Sequence, residues 1–295
     1  MTQQPEQPLL HDRYRLTRQL SRCGEAVVWM GEDVTSGGHV TVREFFAETI
    51  MSRRPDGGFA VRPGREVQYK TLTSDYEELC RAIMALAGQR GLICPEDVFW
   101  SRETVYSVER YVEAQTLDDY LARRGEPMSW LQLKKAIAPV IQAVTRLHTE
   151  GIYHRGISPE TILVDEKGNF LLSGCCIPAA RTADSEIAST LYFGYSAPEQ
   201  YASNSWQGSW TDVYSLAAVC YRALTGTTPV EWKQRGNGRE LIPARAIRGE
   251  VPENISNALM TALSVDLRNR YRTVDEFWIG LLHGPGDGTA VYQLP

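Results

Sequence analysis

The chain has 295 residues and a mass of 33.1 kDa, with 43% hydrophobic and 23% charged residues, enough to bury one sizeable core or two closely joined lobes and too much for a stapled mini-protein. Its 31 basic residues against 36 acidic ones leave a net charge of -5, which provides no basic field for nucleic acid. The six cysteines (Cys23, Cys80, Cys94, Cys175, Cys176 and Cys220) show no CxxC or His/Cys zinc spacing, there is no run of about 18 apolar residues, and the start MTQQPEQPLLHD lacks a charged-then-apolar leader pattern; the expectation is a soluble, cytoplasmic chain with reduced, buried thiols, no metal and no cofactor.

Residues 1–11 are polar and contain prolines, and 284–295 are rich in Gly and Pro, so both read as tails. From Tyr14 to Phe46 three strands follow one another, YRLTRQL, AVVWMGEDV and HVTVREFF, with the turn SGG before the third; they predict an antiparallel sheet. Residues 46–73 read as a long connection. SDYE at Ser74 is a capping box opening a helix with the stripe Tyr76, Leu79, Cys80, Ile83 and Leu86. Strand character returns over 92–113 and then gives way to helical periodicity. A second capping box, Ser129 to Gln132, opens a helix through His148 with the stripe Leu133, Ile137, Val140, Ile141, Val144 and Leu147. ILVDEKGNFLLSG at 162–174 reads as a short hairpin, with helices near 211–225, 254–265 and 273–282, the last under the box Thr273–Glu276. A strand-rich part (12–112) thus precedes a helix-rich part (113–283), an α+β arrangement in two lobes.

Several motifs fall in a fixed order. HRGISPETILV (154–164), SGC (173–175), SAPEQY (196–201), WTDVYSL (210–216) and Arg270 resemble the catalytic loop, the metal-binding DFG, the APE motif, the brace helix and the APE-pairing arginine of bacterial Ser/Thr protein kinases, over roughly residues 13–283. The resemblance implies a bilobal kinase-like fold, with a small antiparallel N-lobe carrying one main helix and a larger helical C-lobe.

The departures fall on the chemistry. Phosphoryl transfer requires held phosphates, fixed metal ions and an oriented hydroxyl. Ser21, Cys23 and Ala26 occupy the three places of the glycine-rich loop, only Gly24 remaining off register, and Glu25 is expected near the loop tip where it would repel a triphosphate. Arg43 replaces the phosphate-binding Lys, keeping charge and not shape, while the helix acids Glu77 and Glu78 are rotated off the inward stripe, so the Lys–Glu pair of an active kinase has no counterpart. In the catalytic loop Gly156 replaces the Asp base, Ser158 the Lys and Thr161 the metal-binding Asn, and Ser173 replaces the metal-binding Asp. Loss of a general base alone costs about 10²- to 10⁴-fold. Of the nearby acids, Glu160 sits where kinases of this resemblance carry an acid without catalytic duty and Asp165 ends a strand of the hairpin, so neither is expected to substitute for it.

Glu109 falls at the usually apolar gatekeeper place and Arg110 at the hinge acid. A charge facing the adenine pocket needs a partner, which Arg43 can supply across the cleft; the alternative is that Glu109 points to solvent. His154 reads as a packed core residue, Cys175 and Cys176 as buried filler, and the stretch with Thr182, Ser185, Ser189 and Thr190 as a solvated loop, the alternative being hydroxyls that accept phosphate with Arg155 as partner. The expectation is a catalytically inactive pseudokinase with weak or no Mg-ATP binding. It would bind a protein partner, such as an active kinase or signalling component, and meet a membrane only through sequence outside this chain. Two alternatives stand beside it, a Ser/Thr kinase or other phosphoryl or nucleotidyl transferase with an unorthodox site, and a metal-independent ATP-sensing switch.

Overall fold

The computed structural model describes residues 9–283. Strands β1 (Tyr14–Arg22), β2 (Ala26–Asp33) and β3 (Gly38–Phe45) form the expected antiparallel ribbon. Residues 46–73, expected to be a connection, instead hold a hairpin of β4 (Met51–Arg53) and β5 (Phe59–Val61) and the beginning of helix α1 (Glu66–Met84). Ser74 therefore lies in mid-helix rather than at an N-cap, and its hydroxyl bonds Glu78 at 3.2 Å. The expected stripe does face inward, with Tyr76, Cys80 and Ile83 buried.

β6 (Pro95–Ser101) and β7 (Thr104–Arg110) complete a five-stranded sheet in the order β1-β2-β3-β7-β6. Leu10, assigned to the N-terminal tail from sequence, is only 1% exposed and packs with Tyr14, Val40 and Val108 on the sheet's outer face. Residues 1–8 of that tail and the assigned C-terminal tail, 284–295, lie outside the described residues.

β8 (Ala114–Thr116) leads into α2 (Leu117–Arg124) and α3 (Trp130–Thr149), and β9 (Ile162–Asp165) and β10 (Phe170–Leu172) complete a small sheet with β8. The Ser129–Gln132 capping box is formed, and α3 buries Leu133, Ile137, Val140, Ile141, Val144 and Leu147. It packs on α4 (Ser209–Thr225), the most deeply buried helix. The chain then runs through α5 (Trp232–Arg235), α6 (Ala244–Ile247), α7 (Glu253–Ala262) and α8 (Val274–His283). Thr273 caps α8 by accepting from the Glu276 amide at 3.1 Å. A β-sheet lobe with one long helix thus sits on a larger helical lobe. Among the described residues no helix is long and apolar enough to cross a membrane.

Candidate functional site: the cleft between the lobes

The cleft between the lobes has a volume of about 540 Å³ and brings together the expected positions Ser21, Cys23, Arg43, Glu109, Thr161 and Ser173. Its roof is set by strand register. β3 and β7 pair Thr41 with Glu109 and Arg43 with Ser107, so by the two-residue alternation of a strand these four side chains share the cleft face. The alternative of a solvent-pointing Glu109 is thereby excluded, as it is only 9% exposed. Burial pushes its carboxyl upward, and the nearby Arg43 guanidinium opposes that shift. Burial disfavours the Arg43 charge and the Glu109 carboxylate opposes that, and the guanidinium stays protonated. Helix α1 presents Tyr76 and Cys80 to this region. Glu77 bonds Arg81 at 2.7 Å and Trp100 at 2.6 Å instead.

The floor is the loop after α3. Asp212 on α4 is fully buried and accepts from the amides of His154 (2.8 Å) and Arg155 (2.7 Å) while contacting His148 Nε2 at 2.8 Å. His154 is satisfied at both ring nitrogens, with Nδ1 3.2 Å from the Gly156 amide and Nε2 2.9 Å from the Ser173 carbonyl. Burial is the main force lowering its pKa, to about 4, so the ring is a neutral brace. Farther down, Arg270 meets Glu199 at 2.8 Å with both side chains buried, and Thr211 donates to the same carboxylate oxygen.

The expected metal positions are turned inward. Thr161 Oγ1 donates to the Gly156 carbonyl at 2.7 Å and accepts from the Ser158 amide at 2.9 Å, and Ser173 Oγ donates to the Thr161 carbonyl at 3.0 Å. Two neutral hydroxyls already spent on the loop's own backbone do not fit a magnesium ion, which takes carboxylate oxygens and water. Among the described residues no cluster of three or more His, Cys, Asp or Glu side chains is arranged to hold a metal ion.

Sequence reasoning missed the central residue of the site. Arg181, in the stretch between SGC and SAPEQY, is 2% exposed. It donates to the carbonyls of Thr190 (2.9 Å) and Gly174 (3.3 Å) and to the Cys176 sulfur (3.4 Å), with its guanidinium against the Tyr192 ring. It lies directly on Gly156, where a Cβ would come within 2.5–2.8 Å of Nε, Cζ and Nη2. The smallest residue in the loop makes room for the largest cation. A glycine where the resemblance implies an Asp was the available signal that another side chain fills the space.

The segment carrying Arg181 is held from above. Cys176, Ile177, Ala180 and Ile187 belong to the N-lobe core with Phe45, Tyr76 and Val105. Glu25 does not stand at an exposed loop tip as expected. It is fully buried and accepts from the Ile177 amide at 2.9 Å, and burial raises its pKa to about 8. A Cβ on Gly24 would overlap the Ala188 carbonyl, so this glycine serves contact with the segment. Cys23 lies on the turn and Cys176 on the segment that these contacts join. Thr182 and Arg155 line a separate surface recess with Trp206 and Gln207, and Ser185 donates inward to the Ala179 carbonyl at 2.6 Å.

Comparison with known proteins agrees with this architecture. The model of the protein kinase domain matches residues 67–270. The chain belongs to the protein kinase family. The matched stretch contains the cleft floor and the Arg181 segment and leaves β1–β5 outside it. The chain is 26% identical over 283 residues to a probable serine/threonine-protein kinase PknB of Lactococcus lactis, which covers 90% of this chain and 41% of that protein. To the serine/threonine-protein kinase PrkC of Bacillus subtilis it is 24% identical over 273 residues, 90% of this chain and 39% of that one. It thus spans about two fifths of these relatives. Among solved structures, an apo form titled PpkA-294 superposes with a TM-score of 0.76 at 20% identity, covering 95% of this chain and all of that one. The kinase domain of Mycobacterium tuberculosis PknI gives 0.67 at 16%, covering 96% and 99%. These matches correct the expectation of a non-enzyme: the matched domain is that of protein kinases and the relatives are named Ser/Thr kinases, so the comparisons point to a kinase.

Proposed function

We propose that the chain is a kinase-family phosphoryl transferase with an unorthodox site, which takes a nucleoside triphosphate on guanidinium groups and passes its terminal phosphoryl group to a protein hydroxyl. The observation that carries this reading is the charge of the cleft lining, where Arg22, Arg43, Arg110 and Arg181 face only Glu109 and Glu160. Arg22 is partly neutralised by Glu48 at 2.6 Å and Arg43 by Glu109. Arg181 has thiols and a phenol rather than a carboxylate as its favourable neighbours. Guanidinium forks suit phosphate oxygens, and phosphoryl transfer is governed by positioning and charge more than by covalent help. We assign to Glu160, an acid of the loop that lines the cleft, the role of accepting the hydroxyl proton as the acceptor oxygen bonds phosphorus and the nucleoside diphosphate leaves.

Melting temperature with ATP, in magnesium and in EDTA, combined with transfer of γ-phosphate label to generic protein acceptors, tests this. The expected result is a stabilising shift that survives EDTA and label incorporation lost in Arg43→Ala and Glu160→Gln. A shift without incorporation would reduce the proposal to nucleotide recognition, and neither shift nor incorporation would remove it.

A further inference from the structure

We propose that Cys23 and Cys176 form a redox-active dithiol, a site at which a hydroperoxide joins the β1–β2 turn of the upper lobe covalently to the segment that carries Arg181. The two cysteines are far apart in sequence and are brought together by contacts that do not involve sulfur. Glu25, two residues after Cys23, takes the amide of Ile177, the residue after Cys176, at 2.9 Å. Gly24 lies against the Ala188 carbonyl of the same segment. The turn is itself fixed, with the Cys23 amide on the Ala26 carbonyl at 2.9 Å, so the two cysteines stand on facing, anchored stretches of backbone.

The chemistry of the surroundings favours one thiolate in this pair. The Arg181 guanidinium lies 3.4 Å from the Cys176 sulfur, and Arg43 faces the same junction. The neighbouring Cys176 thiol, reinforced by the Arg43 and Arg181 charges, pulls the Cys23 thiol down against its burial. The remaining four cysteines differ. Burial raises Cys80 and Cys220 to about 12 and Cys94 to about 11, and it raises Cys175 further. Cys23 is half-buried and lines the cleft, so a small oxidant reaches it, whereas Cys176 is 2% exposed and suits the resolving role. Thiolate character and access together define a reactive cysteine.

The step balances. The Cys23 thiolate attacks the peroxide, the O–O bond breaks, and Cys23 sulfenic acid and hydroxide form. The Cys176 sulfur then displaces the sulfenic oxygen, giving the disulfide and water, so two sulfurs lose two electrons and the peroxide gains them. Formation of the bond is independent of the nucleotide reading. Its effect on the cleft, pinning the turn to the Arg181 segment, bears on that reading only through access of a triphosphate.

The test is peptide mapping of the full chain under non-reducing conditions after stoichiometric hydrogen peroxide, together with alkylation rates of the reduced protein. The expected result is one crosslinked peptide pair containing Cys23 and Cys176, lost on reduction and in Cys23→Ser but kept in Cys94→Ser, with Cys23 alkylated at least about tenfold faster than Cys94 at neutral pH. The half-buried position of Cys23 makes that variant the usable one if Cys176→Ser fails to fold, and mapping of the unaltered chain decides the matter alone. A Cys175–Cys176 or intermolecular disulfide, a Cys23 sulfinic acid without the crosslink, or equal alkylation of Cys23 and Cys94 would overturn the proposal.

Discussion

Replacing Gly156 with alanine places a methyl group against the Arg181 guanidinium, and the cost follows from the two ways of accommodating it. With Arg181 retained, the methyl sits 2.5–2.8 Å from three of its atoms, and overpacking of this kind costs about 1–3 kcal/mol. With Arg181 expelled, its hydrogen bonds to Thr190 and Gly174 are lost, each worth about 1.5–3 kcal/mol for a charged donor, offset by rehydration of the guanidinium. The cheaper route sets the outcome, so Gly156→Ala should destabilise by about 1–3 kcal/mol, less the roughly 0.4–1 kcal/mol that Gly→Ala gains by restricting the unfolded chain. Arg181→Ala opens the space the methyl needs. A double-mutant cycle by urea denaturation should therefore show the pair less destabilising than the sum of the single changes by at least about 1 kcal/mol, and the unfolded-chain contribution cancels within the cycle. Additivity within about 0.5 kcal/mol, the value for independent sites, would refute the placement of Arg181 on Gly156.

Two further outcomes are expected. Because His154 has a folded-state pKa of about 4 against an ordinary value of 6.5, the unfolded chain binds the extra proton over that interval, and the stability it contributes is present above pH 6.5 and is lost as pH falls toward 4. Between pH 7.5 and 5 this is about 2 kcal/mol. Glu25, with its pKa raised to about 8, acts in the opposite direction, so the measurement is the difference in pH slope between the native chain and His154→Gln, and equal slopes would count against a neutral buried imidazole. Arg270→Ala leaves the buried Glu199 carboxylate without its ion-pair partner and should cost about 3–5 kcal/mol; a loss below about 1 kcal/mol in denaturant titration would mean the pair is not desolvated.

The parts of the fold legible in sequence are those whose signals are local. The pairing of β2 with β3 and the capping boxes of α3 and α8 are satisfied by neighbours in the chain, and the apolar stripe of α3 is a periodicity carried by its own residues even though distant ones bury it. The beginning of α1 was not legible because the Ser74 box is a strong local cap signal, whereas the helix begins eight residues earlier at Glu66 under Arg65, with no side-chain cap; tertiary burial of Leu72 and Thr73 overrides it. The expectation that Glu109 faces the cleft came from the resemblance of the hinge stretch, and the pairing of Glu109 with Thr41 puts its side chain on that face. Arg181 was not legible, since an arginine in a polar stretch is ordinarily solvated, and its side chain is held by Gly156, Gly174, Cys176, Thr190 and Tyr192.

The segment after Ser173 links these observations energetically. Ile177 and Ile187 are at most 4% exposed within the N-lobe core, and full burial of two such side chains is worth about 3–6 kcal/mol. A ligand at a hundred times its dissociation constant returns only about 2.7 kcal/mol, so a nucleotide at that level does not extract the segment from the upper lobe. The same segment is also tied downward, where Gln200 Nε2 donates to the Arg181 carbonyl at 3.0 Å and the Ala183 amide donates to the Gln200 carbonyl at 2.8 Å, so Arg181 is fixed between the two lobes.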